Sequence, residues 1–157
     1  MYSGWREPTW FERPAGRILF LRELEGLDMV RMVTDAKHRD GFSLLFKLQP
    51  IGLPPRRARI TFSRALPDTP KVWVDGPSES PHRYEDGALC MWYPEDLPAK
   101  RWVRRDGAAV LVAHIAAHLL REEWYRKTGD WKGDEVTHGP VDERNDPAEA
   151  GVEHVHC

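Results

Sequence analysis

Apolar and polar positions along the chain follow a helical spacing first, then strand alternation, then a helical spacing again. Ile18, Leu21 and Leu24 are spaced three apart within Arg17 to Glu25, and Gly26 follows as a stop. That predicts a short helix, although the run Ile18-Leu19-Phe20-Leu21 also fits a buried strand. Asp28 to Thr34 and Phe42 to Leu48 read as strands joined through Asp40-Gly41, a hairpin-turn pair. Arg57 to Arg64 alternates, with Ala58, Ile60 and Phe62 on one face and prolines bracketing both ends. Lys71 to Val74 is a fourth strand, closed by Asp75-Gly76-Pro77. Short connections between these strands predict an antiparallel meander. Residues 76–106 are rich in Pro, Gly, Ser and aromatics and read as one long loop. Ala108 to Lys127 then returns to helical spacing, with apolar positions at Ala109, Val110, Leu111, Ile115, Leu119, Leu120 and Trp124. Asp106-Gly107 is the expected N-cap and Gly129 the expected stop. The order gives an α/β fold of the α+β kind: helix, four-stranded meander, long loop, helix. Residues 1–16 form an irregular lead-in whose aromatics pack on a domain spanning 1–131. Residues 132–157 are acidic, poor in large apolar groups, and expected to form a flexible tail.

Composition narrows the function classes. The 157 residues are 41% hydrophobic and 31% charged, enough for one domain with a real core. A formal net charge of −2 gives no electrostatic case for nucleic acid. The basic stretches Pro54 to Arg59 and Arg101 to Arg105 read as solvated surface. The N-terminal residues lack the apolar core of an export signal, and Ala108 to Leu120 is too short to span a bilayer. The expectation is a cytoplasmic protein with no membrane association, whose two cysteines stay reduced.

The chemistry-bearing residue is Cys90, the single interior cysteine, which follows an Asp-Gly pair at 86–87. Cysteine is a nucleophile only as a thiolate, and its surroundings set how much thiolate exists. Against that stands the commoner role of cysteine as a small buried apolar residue. Asp96 and its neighbour Glu95 lie close in sequence and are candidates to orient an incoming amine; solvated loop acids are the plainer reading. His138, beyond the second helix, is a candidate to reach the site or merely to cap that helix. His114 and His118 have a metal-ligand spacing on one helix face, but no third ligand is evident, which favours packing or surface histidines and no metal. The His154 to Cys157 end is an adventitious metal binder at most.

The residues around Cys90 carry a resemblance. Thr69-Pro70-Lys71-Val72, then Ser80-Pro81-His82, then Asp86-Gly87-Ala88-Leu89-Cys90 are similar to the Pro-Pro, His-Pro-Asn and nucleophile segments of the ubiquitin-conjugating enzymes. His82 stands where that family has its Asn, and Ser80 where it has its His. His82, Tyr84, Asp86-Gly87, Leu89-Cys90, Tyr93-Pro94, Trp102, Trp124, Thr128-Gly129, Trp131 and His138 together resemble the standalone conjugating proteins of short type II CBASS anti-phage operons. The resemblance covers roughly 17–130. It implies a ubiquitin-conjugating-type fold, with Cys90 as nucleophile and His82 as oxyanion or loop support. It further implies a thioester with the C-terminus of a cGAMP-synthase-like nucleotidyltransferase, or of another protein with a reactive C-terminus, and transfer to a lysine of a target protein, with no cofactor needed; a homodimer is compatible with this and stays open. Two rivals are a noncatalytic binding module of the same fold, in which Cys90 only packs, and a cysteine hydrolase that releases such conjugates.

Overall fold

The computed structural model describes residues 5–133. Its elements are a helix α1 (Pro14–Glu25), strands β1 (Val30–Ala36), β2 (Gly41–Leu48), β3 (Arg56–Ser63) and β4 (Lys71–Val74), and a helix α2 (Gly107–Thr128). The expected flexible tail and His138 lie outside the described residues, apart from the tail's first two positions. The four strands form one antiparallel sheet in the order β1-β2-β3-β4, the predicted meander.

Alternation decides the sheet's faces. Leu44, Ile60 and Val72 stand in one cross-strand row, and Phe46, Ala58 and Val74 in the next; all six are buried. The opposite face carries Leu45, Arg59 and Trp73 in a row, with Lys47 and Arg57 beside it. The Arg59 guanidinium lies over the Trp73 ring at 4.3 Å. The strand predicted from Asp28 to Thr34 runs over Val30–Ala36: a turn, closed by Val30 N–H donating to the Leu27 carbonyl at 3.0 Å, delays its start, and a bulge between Arg31 and Thr34 interrupts its register with β2. Met32 sits in that bulge at φ 56° and points largely into solvent.

α1 starts three residues earlier than the spacing predicted. Pro14 opens it, where a missing N–H costs nothing and φ is already helical. Its buried side is Phe20 and Leu24, whereas Ile18 is half exposed, so the predicted apolar row is only partly the inward one. Of the lead-in aromatics, Trp10 and Phe11 pack inward as expected and Trp5 does not. The Trp10 indole lies 4.8 Å from Phe62 and donates through Nε1 to the Pro67 carbonyl at 2.9 Å. Gly16 is required here: a Cβ would collide with the Trp10 carbonyl oxygen.

α2 buries Leu111, Val112, Ile115, His118, Leu119 and Glu122. Val110, Leu120 and Trp124, predicted as part of its apolar face, are among the exposed large apolar residues. The helix ends as predicted at Gly129, which is left-handed at φ 78° and donates to the Tyr125 carbonyl. Asp106 occupies the N-cap position, but its carboxylate accepts from Val103 N–H at 2.9 Å rather than capping α2. Between β4 and α2 the chain is irregular apart from a short 3-10 turn, Arg104–Asp106. Trp102, fully buried, anchors that stretch by donating from Nε1 to the Gly107 carbonyl at 2.8 Å.

Candidate functional site: the Cys90 hairpin and the helix beneath it

Residues 82–90 fold into a small hairpin. Gly87 N–H donates to the Tyr84 carbonyl and Tyr84 N–H to the Ala88 carbonyl, both at 2.9 Å. Arg83 and Leu89 form an isolated antiparallel bridge, and Cys90 N–H donates to the His82 carbonyl at 3.0 Å. Gly87 has φ 85°, the left-handed geometry that the turn demands. Asp86 staples the turn three ways. Its Oδ1 accepts from Ala88 N–H at 3.0 Å, its Oδ2 from Lys71 Nζ at 2.7 Å, and its carbonyl from Trp73 Nε1 at 3.1 Å. Burial pushes the Asp86 carboxyl up, but Lys71 and the Ala88 N–H outweigh it and hold the group below its usual value. Leu89 N–H donates to the Val72 carbonyl at 2.8 Å and docks the hairpin on β4.

Cys90 therefore sits at the exit of the hairpin, only 6% exposed. Its sulfur is in a disulfide, where the sequence predicted a reduced thiol. The chain's second cysteine, Cys157, lies outside the described residues. Reduction must precede any nucleophilic chemistry at Cys90, because only the thiolate attacks.

His82 and Cys90 are brought together, and the hydrogen bond between them runs through backbone. The His82 ring packs against Trp131, with ring centres 4.3 Å apart. Ser80 Oγ accepts from His82 N–H at 3.1 Å and holds the loop there. Asp96 staples the loop after Cys90. Its Oδ2 accepts from Tyr93 N–H at 3.0 Å, and its carbonyl accepts from Arg101 Nε at 2.7 Å. Glu95 is exposed at the edge of a groove of about 390 Å3, lined also by Leu66, Pro70, Leu89, Trp92, Tyr93 and Pro94. Tyr84 edges the same groove and donates from its hydroxyl to the Trp92 carbonyl at 3.2 Å. Burial, then the charges of Glu95, Asp86 and Asp96, push its phenol above the usual value.

Sequence reasoning missed what lies under the hairpin. Glu122 is fully buried and forms a two-pronged ion pair with Arg83, 2.8 Å to Nε and 2.9 Å to Nη2. Arg83 Nη2 also donates to the Pro77 carbonyl at 3.2 Å. One turn earlier on α2, His118 Nε2 lies 3.1 Å from the His82 carbonyl. A carbonyl oxygen only accepts, so His118 carries its proton on Nε2. Burial is the main cause that brings the His118 pKa down to about 4, against the opposing pull of Glu122. The one available signal was a glutamate on the buried stripe, three residues after Leu119 and four after His118. His114 is exposed and lies edge-on to Trp92, so the two histidines face different surroundings. Among the described residues, no three His, Cys, Asp or Glu side chains are grouped to hold a metal ion. Nor is any described helix long and apolar enough to cross a membrane.

Residues 28–139 match the family model of the type II CBASS E2 protein. The chain belongs to that family. The matched span holds the sheet, the hairpin and α2, and the mixed α+β architecture is consistent with an E2-like fold. Comparison with curated proteins and with solved structures gives no match.

Proposed function

We propose that this type II CBASS E2 protein is a cysteine acyltransferase with Cys90 as acyl acceptor. The observation that carries the reading is the placement of Cys90, within the family match, at the exit of a hairpin whose Leu89 lines the apolar groove. In the first step the Cys90 thiolate adds to an activated or amide-linked C-terminal carbonyl of a partner protein. The activating group, or the amine of that amide after taking up a proton, departs with the bonding electron pair and a thioester forms. In the second step a lysine amine adds to that thioester, the thiolate is expelled, and an isopeptide bond results. Dividing acyl transfer in this way replaces one difficult substitution with two easier ones. The partner is a cGAMP-synthase-like nucleotidyltransferase, so the reaction belongs to anti-phage signalling. The groove beside Leu89, with its Trp and Pro lining, takes the last residues of the partner's chain. His82, packed against Trp131, and the loop around Asp96 hold the site in shape, with His82 on the oxyanion side of the reacting carbonyl.

The deep burial of Cys90 favours one rival, a binding module in which the cysteine only packs. Co-expression with the nucleotidyltransferase, followed by phosphine reduction, separates the two. A covalent adduct that survives the phosphine but is cleaved by hydroxylamine is a thioester and not a disulfide. It is expected with the wild-type protein and lost in Cys90→Ala, while Cys90→Ser should trap an ester. Absence of any adduct with reduced wild-type protein sinks the acyltransferase reading. A wild-type rate in His82→Ala removes the imidazole from the mechanism.

A further inference from the structure

We propose that His118 and Glu122 are positioning residues that set the Cys90 hairpin from the helix beneath it. The inference rests on the reading of Cys90 as acyl acceptor, and neither residue touches the reacting atoms. They lie four apart on the buried stripe of α2, so both side chains project to the same side. His118 Nε2–H donates to the His82 carbonyl, the same oxygen that accepts the Cys90 N–H. Glu122 clamps Arg83, and Arg83 is the bridge partner of Leu89. Both grips therefore land on the first arm of the hairpin, whose backbone pairs with the second arm at Leu89 and Cys90. Trp131 closes the cluster, with ring centres 4.3 Å from His82 and 5.2 Å from His118.

Packing alone does not call for these residue types. Apolar side chains of similar volume would fill the stripe without a desolvated carboxylate, and such replacements are often neutral or stabilising. What the polar pair adds is direction. A two-pronged ion pair and a donor on one carbonyl lone pair fix the arm's rotation and height, whereas apolar contacts leave it free to slide. Displacement of a reacting group by about 1 Å costs about a hundredfold in rate, so a loop held at one carbonyl and one guanidinium is worth a buried charge.

The test uses the reduced full chain with two readouts. One is the single-turnover rate of thioester formation at saturating partner, with partner Kd alongside. The other is hydrogen exchange at the Cys90 amide, with Ile60 in the sheet as internal reference. His118→Leu is expected to slow the acyl step about tenfold to a hundredfold with Kd little changed, and to speed Cys90 exchange about tenfold with Ile60 unaffected. His118→Gln keeps an N–H donor and should recover to within about threefold of wild type. A folded His118→Leu with wild-type rate and wild-type exchange overturns the proposal. If His118→Leu does not fold, Glu122→Gln takes its place: its shape is kept and its charge on Arg83 lost, and unchanged readouts overturn the proposal equally. If the wild type forms no thioester, the acyl reading falls by itself. The Cys90 exchange ratio then decides whether α2 positions the hairpin.

Discussion

At the residue scale two polar groups stand out for how deeply they are buried. His118 is almost wholly enclosed and its pKa lies at about 4, below the ordinary 6.5. The unfolded chain therefore takes up this proton first as pH falls. The resulting stabilisation is complete above pH 6.5 and is lost as pH drops from 6.5 to about 4, a span that corresponds to about 3 kcal/mol. His114, an exposed residue, is held below its ordinary value mainly by partial desolvation and then by Arg121, and adds a contribution of the same sign. Urea unfolding at a series of pH values should show stability rising across this window, and His118→Gln should flatten most of the slope. A wild-type curve that falls with rising pH there would contradict the neutral, enclosed imidazole. Glu122 is the second group. Removing its partner with Arg83→Ala leaves a carboxylate without its cation in the core, and the expected cost is about 3–5 kcal/mol. The paired change of Arg83 to Met and Glu122 to Leu should cost far less, because no charge is stranded. Equal losses in the single and double variants would show that the pair contributes only its packing.

At the element scale the hairpin is the unit that matters, and its turn is separable from its arms. Gly87→Ala meets no steric neighbour, since no atom lies within 4 Å of the added Cβ. Its whole effect comes from forcing an L-residue to φ 85°, a cost of about 1–2 kcal/mol. The melting temperature should fall by a few degrees, and exchange at Leu89 and Cys90 should quicken more than at Ile60. Uniform quickening would mean that the turn is not an independent unit. The Asp-Gly turn was legible in the sequence because turn chemistry is local. So were β2, β3, β4 and the Gly129 stop, where alternation and a left-handed cap leave a signature within a few residues. The inward side of α2 was not. Counting apolar residues favoured Val110, Leu120 and Trp124, whereas the buried side carries His118 and Glu122 against the hairpin. Those two are tolerated inside only because Arg83 and the His82 carbonyl meet them, 39 and 36 residues away. No local pattern announces a partner at that distance. Likewise Cys90 was legible as a candidate from its motif, but its disulfide was not.

At the scale of the whole molecule, the lead-in and the end of the irregular segment share one aromatic core. Phe62 on β3 lies 4.8 Å from Trp10, 5.3 Å from Phe20 and 5.7 Å from Trp102, ring centre to ring centre. Arg104 ties the same region together: its guanidinium lies 5.1 Å from the Trp10 ring, and its Nη2 is 3.0 Å from Glu23 of α1. Trp10 and Phe11, just before α1, are thus part of the domain's core. This places a boundary inside the first dozen residues, because Trp5 is 98% exposed while Trp10 is enclosed on several sides. Trp10→Ala removes an indole from contact with four rings and a hydrogen bond to Pro67, and should cost about 3 kcal/mol in urea unfolding. Trp5→Ala should change stability by less than about 0.5 kcal/mol. The cysteine hairpin is held by β4 and α2, not by the aromatic cluster. Thioester formation per folded molecule should therefore stay within about twofold of wild type in Trp10→Ala below its melting transition. A folded Trp10→Ala whose acyl rate drops tenfold would show that the Trp102 end of the loop transmits core strain to Cys90, and would join the two halves of the molecule into one functional unit.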